Sequence, residues 1–346
     1  MPLKKRATIK QVAKEAGVSL QTVSRVANNH PDVAPATRRK VEKVIKRLRY
    51  QPSTIARTLI QGHSRTLGVV GSGLEFYGPS HTLVGIEKQA DALGYALHLS
   101  LVHEPERNDI QSVWRDMLAR QVDGIIWAVP EIGGNRDWVE KERPHLSVPV
   151  VFLSMQPNHA LSVVAIDNRA GGRDATQHLL EQGYRKIGLI TGPSTWWEAC
   201  ERRAGWDEAL SRAGIPTDMT MIAEGDWTPG SGERCLRQLL DQQPEMDAVF
   251  VCNDQMAFGA LKVARELGRQ VPKALGMVGF DNVPESAYSY PSLTSVGQDM
   301  VSLGSHAVQE LCRIIEASEQ WLVIQPKTIL IPPRLIVRES SVRPLP

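Results

Sequence analysis

The sequence predicts a small all-α head followed by a much larger α/β body of two doubly wound parallel-sheet lobes. Three observations carry this reading. A pair of short helical patterns around a glycine turn opens the chain, and apolar strand-like runs alternate with amphipathic segments beyond residue 65. The third is charge. Through Arg65 there are 15 Lys or Arg against three acids (Glu15, Asp32, Glu42), a net of +12, whereas the remainder holds 25 bases and 35 acids, a net of −10. A basic head on an acidic body is what phosphate contact by one domain alone requires.

Within residues 10–28, KQVAKEAGVSLQTVSRVAN, the spacing predicts two helices joined tightly. Ile9, Val12, Ala13 and Ala16 form the apolar stripe of the first. Gly17 supplies the positive φ that ends it, and Ser19 is a suitable N-cap for the second. Val23 faces back toward the first helix. Leu20, Gln21 and Arg25 then point outward, where a helix-turn-helix module enters the major groove. A third helix over 34–48 carries Val41, Val44, Ile45 and Leu48 on its buried stripe, with Pro35 tolerated in its first turn. Gln51-Pro52 breaks the pattern, and the following STIARTLIQG is too short to be a stable helix alone. It reads as a hinge that orders only when something docks it.

In the body, strand-like runs occur at 67–70, 96–102, 124–129, 149–153, 162–166, 186–190, 248–252 and 275–280. Amphipathic segments such as 81–93 and 171–182 lie between them, the order of a parallel sheet wrapped by helices. About 270 residues exceed one such sheet, so two lobes are expected, with a ligand in the cleft at the C-terminal strand ends.

Other classes find little support. No apolar run reaches membrane-spanning length and the N-terminus lacks a signal-peptide core, so a cytoplasmic protein is expected. Cys200, Cys235, Cys252 and Cys312 are scattered without metal-ligand spacing, and Cys252 reads as a core residue. Gly71 and Gly73 lack a dinucleotide fingerprint, Gly171-Gly172 lacks the Lys-Ser of a phosphate loop, and neither GxSxG nor paired metal-binding histidines occur. The expectation is a binding protein, not an enzyme, with neither cofactor nor metal.

From Thr8 to about Ser341 the chain closely resembles the LacI family of bacterial transcription regulators. The likeness rests on the head motif and on VAPATRRKV (33–41), RYQPSTIARTL (49–59), TGP (191–193), RRAGW (202–206), EGDW (224–227), CNDQMAFGA (252–260), VGFDN (278–282), LTSVGQD (293–299) and VRESS (337–341). EGDW and NDQMA are closest to the family's lactose-responsive member.

The resemblance implies a homodimer on near-palindromic double-stranded operator DNA. Leu20, Gln21 and Arg25 would meet base edges, Arg25 suiting guanine and Gln21 adenine or a flanking base. Thr8, Ser19, Thr22, Ser24 and Asn28 would hold phosphates and set register. The hinge, 53–60, would fold in the minor groove, Leu59 wedging between base pairs while Ala56 lets two hinges approach. Leu20 departs from the tyrosine of the lactose-responsive member, implying a related but different operator.

For the body the resemblance implies periplasmic-binding-protein-like lobes: lobe one at about 65–165 and 298–327, lobe two at about 166–297 and 328–340. The whole division is a 1–50 head, a 51–64 hinge, a 65–340 core and a 341–346 tail. Arg202, Asn253 and Asp281 match positions that bind sugar hydroxyls, and Trp227 matches an aromatic packing on the sugar's apolar face. Asp281 read without the resemblance is a helix N-cap. Gln298 would support the site from the crossover, and Leu74 and Pro79 would form the lobe-one wall. Ser154 stands where the lactose-responsive member has aspartate. Trp196 and Trp197 replace small residues there, leaving open a second stacking site or ordinary packing. The chain stops soon after VRESS, without a trailing heptad helix, so a dimer is expected, built partly through the helix that begins near Gln255 and contains Phe258.

The implied function is a sugar-released repressor of carbohydrate-metabolism genes. Corepressor-dependent and phosphoprotein-assisted regulators are rivals within the family, and a sugar-binding transport component is one outside it. Trp227 with the polar trio favours a sugar, and the basic head disfavours transport. A sugar-processing enzyme would need a carboxylate pair in the cleft, which Asp281 alone does not supply.

Overall fold

The structure, a computed structural model, describes residues 7–27, 30–50, 63–106, 110–142 and 147–343. It forms two compact units, 1–65 and 66–346.

The first unit contains α1 (Ile9–Ala16), α2 (Leu20–Ala27) and α3 (Pro35–Leu48). Thr8 and Gln11 form a reciprocal capping box at the start of α1, and Gly17 ends that helix at φ 60°. The Thr22 amide donates to Ser19 Oγ at 3.1 Å, so Ser19 caps α2 as its residue type requires. Val12, Ala16, Val23 and Val41 are fully buried at the meeting of the three helices. Each buried valine contributes roughly 1.5–3 kcal/mol, sizeable for so small a core. An Arg47–Glu15 ion pair ties α3 to α1 at the surface.

The second unit holds two six-stranded sheets. Lobe one has the order β11-β5-β4-β3-β1-β2, all parallel. Its strands are β1 (Thr66–Gly71), β2 (Ala96–Leu101), β3 (Gly124–Ala128), β4 (Val150–Leu153), β5 (Ser162–Ile166) and β11 (Thr328–Ile331). With them go α4 (Tyr77–Ala92), α5 (Ile110–Ala119), α6 (Asp137–Glu142) and α11 (Met300–Glu319). Lobe two has the order β12-β10-β9-β8-β6-β7, parallel except for β12. It comprises β6 (Ile187–Thr191), β7 (Ile222–Glu224), β8 (Ala248–Val251), β9 (Gly276–Asp281), β10 (Thr294–Gly297) and β12 (Arg334–Ile336). Its helices are α7 (Asn168–Glu181), α8 (Trp197–Arg212), α9 (Pro229–Gln242) and α10 (Asp254–Glu266).

The chain changes lobe three times, after β5, after β10 and after β11. The last corrects the expected boundary, which assigned 328–340 wholly to lobe two. Residues 328–331 instead pair with β5 of lobe one. Pro332 and Pro333 follow, and having no N–H to donate they end the ladder where the chain crosses. Strands β7, β10, β11 and β12 escape a hydropathy reading because each is only three or four residues long and carries a polar or charged residue, whereas the equally short β4 and β8 are wholly apolar.

Helix pairs α4/α11, α7/α8 and α9/α10 pack unusually closely. A methyl built on Gly85, Gly304, Gly172, Gly205, Gly232 or Gly259 would stand 1.9–2.2 Å from a backbone oxygen of the facing helix. Reciprocal glycines therefore fix each crossing, and the α7/α8 crossing sets the position of Arg202.

Candidate functional site

On α2, Leu20, Gln21 and Arg25 are exposed on the side away from buried Val23 and Val26. Leu20 is 46% exposed, which has no packing explanation within the head. Thr22 and Ser24 are half-buried beside that face. Thr8 and Ser19 serve first as helix caps, and the Ser19 and Thr22 hydroxyls lie 2.9 Å apart. A phosphate contact by these groups would share them with the cap. Asn28, Ala56 and Leu59, and with them most of the expected hinge, lie outside the described residues.

In the second unit a cavity of about 140 Å³ opens between the C-terminal strand ends of the two lobes. All nine residues expected there line it: Leu74, Pro79, Ser154, Trp196, Arg202, Trp227, Asn253, Asp281 and Gln298. The topology explains the convergence. Leu74 and Pro79 follow β1, Ser154 follows β4, Trp227 follows β7, Asn253 follows β8, Asp281 ends β9 and Gln298 follows β10. These are the switch-point ends of parallel sheets, where loops carry binding groups.

Arg202 is the fixed cation of the cavity. Its Nε donates to Asn168 Oδ1 at 2.8 Å, its Nη1 donates to the Cys252 carbonyl at 2.5 Å, and the guanidinium lies 3.9 Å from the Phe280 ring centroid. Asn168 begins α7, so the close α7/α8 crossing creates this contact. Asn253 caps α10 through Oδ1, which accepts from the Met256 amide at 2.9 Å. Its Nδ2 donates to the Trp227 carbonyl at 3.0 Å, leaving one amide hydrogen for a ligand.

Asp281 is not a helix N-cap. It sits at φ 108°, a conformation a non-glycine residue rarely holds, and accepts from Gln298 Nε2 at 2.5 Å. Burial pushes its carboxyl up to about 7 against the opposing pull of Arg202. Behind it, fully buried Asp254 accepts from the Val283 amide and the Ser286 and Ser295 hydroxyls at 2.6–2.9 Å, yet desolvation still raises it to about 6.

The structure separates the two adjacent tryptophans. Trp196 faces the cavity, edge-on to Trp227 at 5.7 Å. Trp197 instead packs against the lobe-one cluster that holds Trp127 and Phe152. Glu198, which the sequence reading missed, also lines the cavity together with Ser154, whose hydroxyl favours the charged form of its carboxyl. Its place one helical turn before Arg202 was the available signal. Burial raises its carboxyl, and Arg202 opposes that shift. Two carboxylates thus flank one guanidinium, against an apolar wall that includes Leu74, Pro79, Leu153 and Met300.

Two family descriptions match the chain: "Bacterial regulatory proteins, lacI family" over residues 8–53, and "Periplasmic binding protein-like domain" over 176–341. The HTH-type transcriptional regulator CelR of Thermobifida fusca is 33% identical over 99% of this chain and 100% of that protein. This chain belongs to the LacI family. Among solved LacI-family structures, a lac repressor dimer bound to operator and the anti-inducer ONPF is 32% identical, with TM-score 0.88 over 98% of this chain and 100% of that one. A CelR–cellobiose complex is 32% identical, with TM-score 0.71 over 97% of this chain and 100% of that one. The regulator reading, with a helix-turn-helix head and a periplasmic-binding-protein-like body, follows from this membership. No described helix is long and apolar enough to cross a membrane.

Proposed function

We propose that the protein is a dimeric transcriptional repressor released from its operator by a neutral sugar, a glycoside or disaccharide, bound between the lobes. The cavity chemistry carries this reading. Arg202 and the free Asn253 amide hydrogen donate, Asp281 and Glu198 accept, and an apolar wall stands beside them. A pyranose presents hydroxyls that need both partners and an apolar face that needs a wall. With three acids (Glu75, Glu198 and Asp281) to one base, Arg202, the cavity lining disfavours phosphate and carboxylate effectors. The lac repressor and CelR structures, which are complexes with ONPF and cellobiose, support the same class.

At the head, Leu20, Gln21 and Arg25 read base edges, and Thr8, Ser19, Thr22, Ser24 and Asn28 position phosphates. The hinge acts through Ala56 and Leu59. The dimer uses α10, where Phe258 is only partly buried in its own lobe. Sugar bound between the lobes favours an arrangement incompatible with paired hinges, and a preference of about a hundredfold is worth about 3 kcal/mol.

Operator binding measured with cellobiose, lactose and a purine base decides among these readings. Release by a sugar is expected, and tighter binding with the purine would favour a corepressor. Because Glu198 places a second carboxylate beside Asp281, a chromogenic glycoside assay belongs beside it. No turnover is expected, since Gln298 already donates to the Asp281 carboxylate.

A further inference from the structure

At one edge of the cavity the two lobes are joined by main chain. Residues 131–133 of lobe one run antiparallel to 195–197 of lobe two, with an Ile132–Trp196 bridge. The Gly133 amide donates to the Thr195 carbonyl at 2.7 Å, and the Trp197 amide donates to the Glu131 carbonyl at 3.1 Å. The Trp197 indole packs on the lobe-one cluster. The first turn of α8 is thus covalently part of lobe two and held by lobe one.

Glu198 is the next residue. Its own lobe offers Arg202, and lobe one offers the Ser154 hydroxyl. Lobe one also holds Arg136, 7% exposed, with the Trp127 and Phe152 ring centroids at 5.8 and 5.9 Å. Its Nη2 donates to the Val129 carbonyl, while Nε and Nη1 have no hydrogen-bond partner among the described residues. Idle donors on a buried guanidinium are unfavourable unless another charge compensates them. The acids that favour its charge are Glu131 and then Glu198, neither of them within ion-pair distance of it in this arrangement of the lobes. Glu131 already spends Oε2 on the Gln156 amide at 2.6 Å. Glu198 is the acid that comes from the opposite lobe.

We propose that Glu198 is a lobe-bridging acid of the effector site, accepting a hydroxyl of the bound sugar while its charge compensates the under-satisfied guanidinium of lobe-one Arg136 across the lobe boundary, so that one carboxylate couples effector binding to the lobe arrangement. Arg202 lies one turn along the same helix as Glu198 and within the same lobe, whereas Arg136 belongs to the other lobe, so only the second of these charges depends on how the lobes are arranged. The sugar half of this statement rests on the function proposed above. The charge-compensation half does not.

Thermal midpoints of the unliganded full chain test the pair, using Glu198→Gln, Arg136→Met and the double variant. The double variant is expected to lose clearly less than the sum of the single shifts, with Arg136→Lys nearer the wild type than Arg136→Met. Additive shifts overturn the proposal. Operator release titrated with cellobiose and lactose tests the coupling. Glu198→Gln should need at least tenfold more sugar, and Arg136→Met should change the requirement only where Glu198 is present. Response of Glu198→Gln within twofold of the wild type overturns the effector role. Non-additive midpoints in a wild type that answers to no sugar would sustain the pair and sink the proposed effector class instead.

Discussion

Replacing Asp281 by asparagine separates the cost of its charge from its use. Burial raises the carboxyl from 3.8 to about 7 in the native protein. Below pH ~4 both folded and unfolded chains hold the proton, so the charge contributes nothing to stability. Between pH ~4 and ~7 the unfolded chain releases its proton while the native one keeps it. The wild type then loses about 1.4 kcal/mol per pH unit. Above pH ~7 both release it and the loss stays constant, at most about 4 kcal/mol. Water entering the cavity reduces this figure, because Asp281 is only half-buried. Asparagine avoids the loss, keeps an oxygen for the Gln298 donor and tolerates positive φ. It also relieves Asp254, whose charge opposes that of Asp281. Asp281→Asn should therefore be more stable than the wild type, by a margin that grows by about 2–3 kcal/mol between pH 5 and 7.5. Urea unfolding at several pH values measures this. The same variant should bind sugar about tenfold to a hundredfold more weakly, having lost hydrogen bonds to a charged acceptor. A stability gain that does not change with pH, or no gain at pH 7.5, would refute the account of a desolvated carboxylate held for binding.

Three further outcomes follow from the packing and the caps. Gly205→Ala puts a methyl 2.1 Å from the Arg169 carbonyl oxygen, so it should destabilise the body by about 1–3 kcal/mol. It should also weaken sugar binding by shifting Arg202, which thermal unfolding with and without sugar would show. Thr8→Ala removes the Thr8 side-chain half of the capping box and should lower head stability by about 1 kcal/mol, read as faster proteolysis within residues 1–50 of the intact chain. Arg25→Ala should cost about 1–3 kcal/mol on the preferred operator and relax selection at a single base pair, measured by binding to operators randomised there.

The head was legible because its signals are local. Gly17 at positive φ, Ser19 as a cap and the Val12, Val23 and Val41 stripes each depend on neighbours a few residues away. The strongest strand runs were legible for the same reason. The resemblance carried the nine cavity residues, since 74 and 298 lie in separate strand-end loops that no periodicity connects. Sequence placed the last lobe boundary early, because nothing local in TILI states that its partner is β5. Which of two adjacent tryptophans faces the ligand was likewise undetermined. Both are apolar, and only the interlobe bridge at Ile132–Trp196 turns one toward the cavity and the other into lobe one.

Sequence by itself determined the class of the molecule: a basic helix-turn-helix head, an acidic α/β body and the family to which both belong. Tertiary structure alone decided what charge the cavity carries. Asp281 and Glu198 are ordinary acids in the sequence, 83 positions apart. Folding desolvates both beside Arg202, and Glu198 becomes an interlobe residue only because the first turn of α8 is held by the opposite lobe. Desolvation and long-range pairing depend on what the rest of the chain brings near, and that information is not local to either residue.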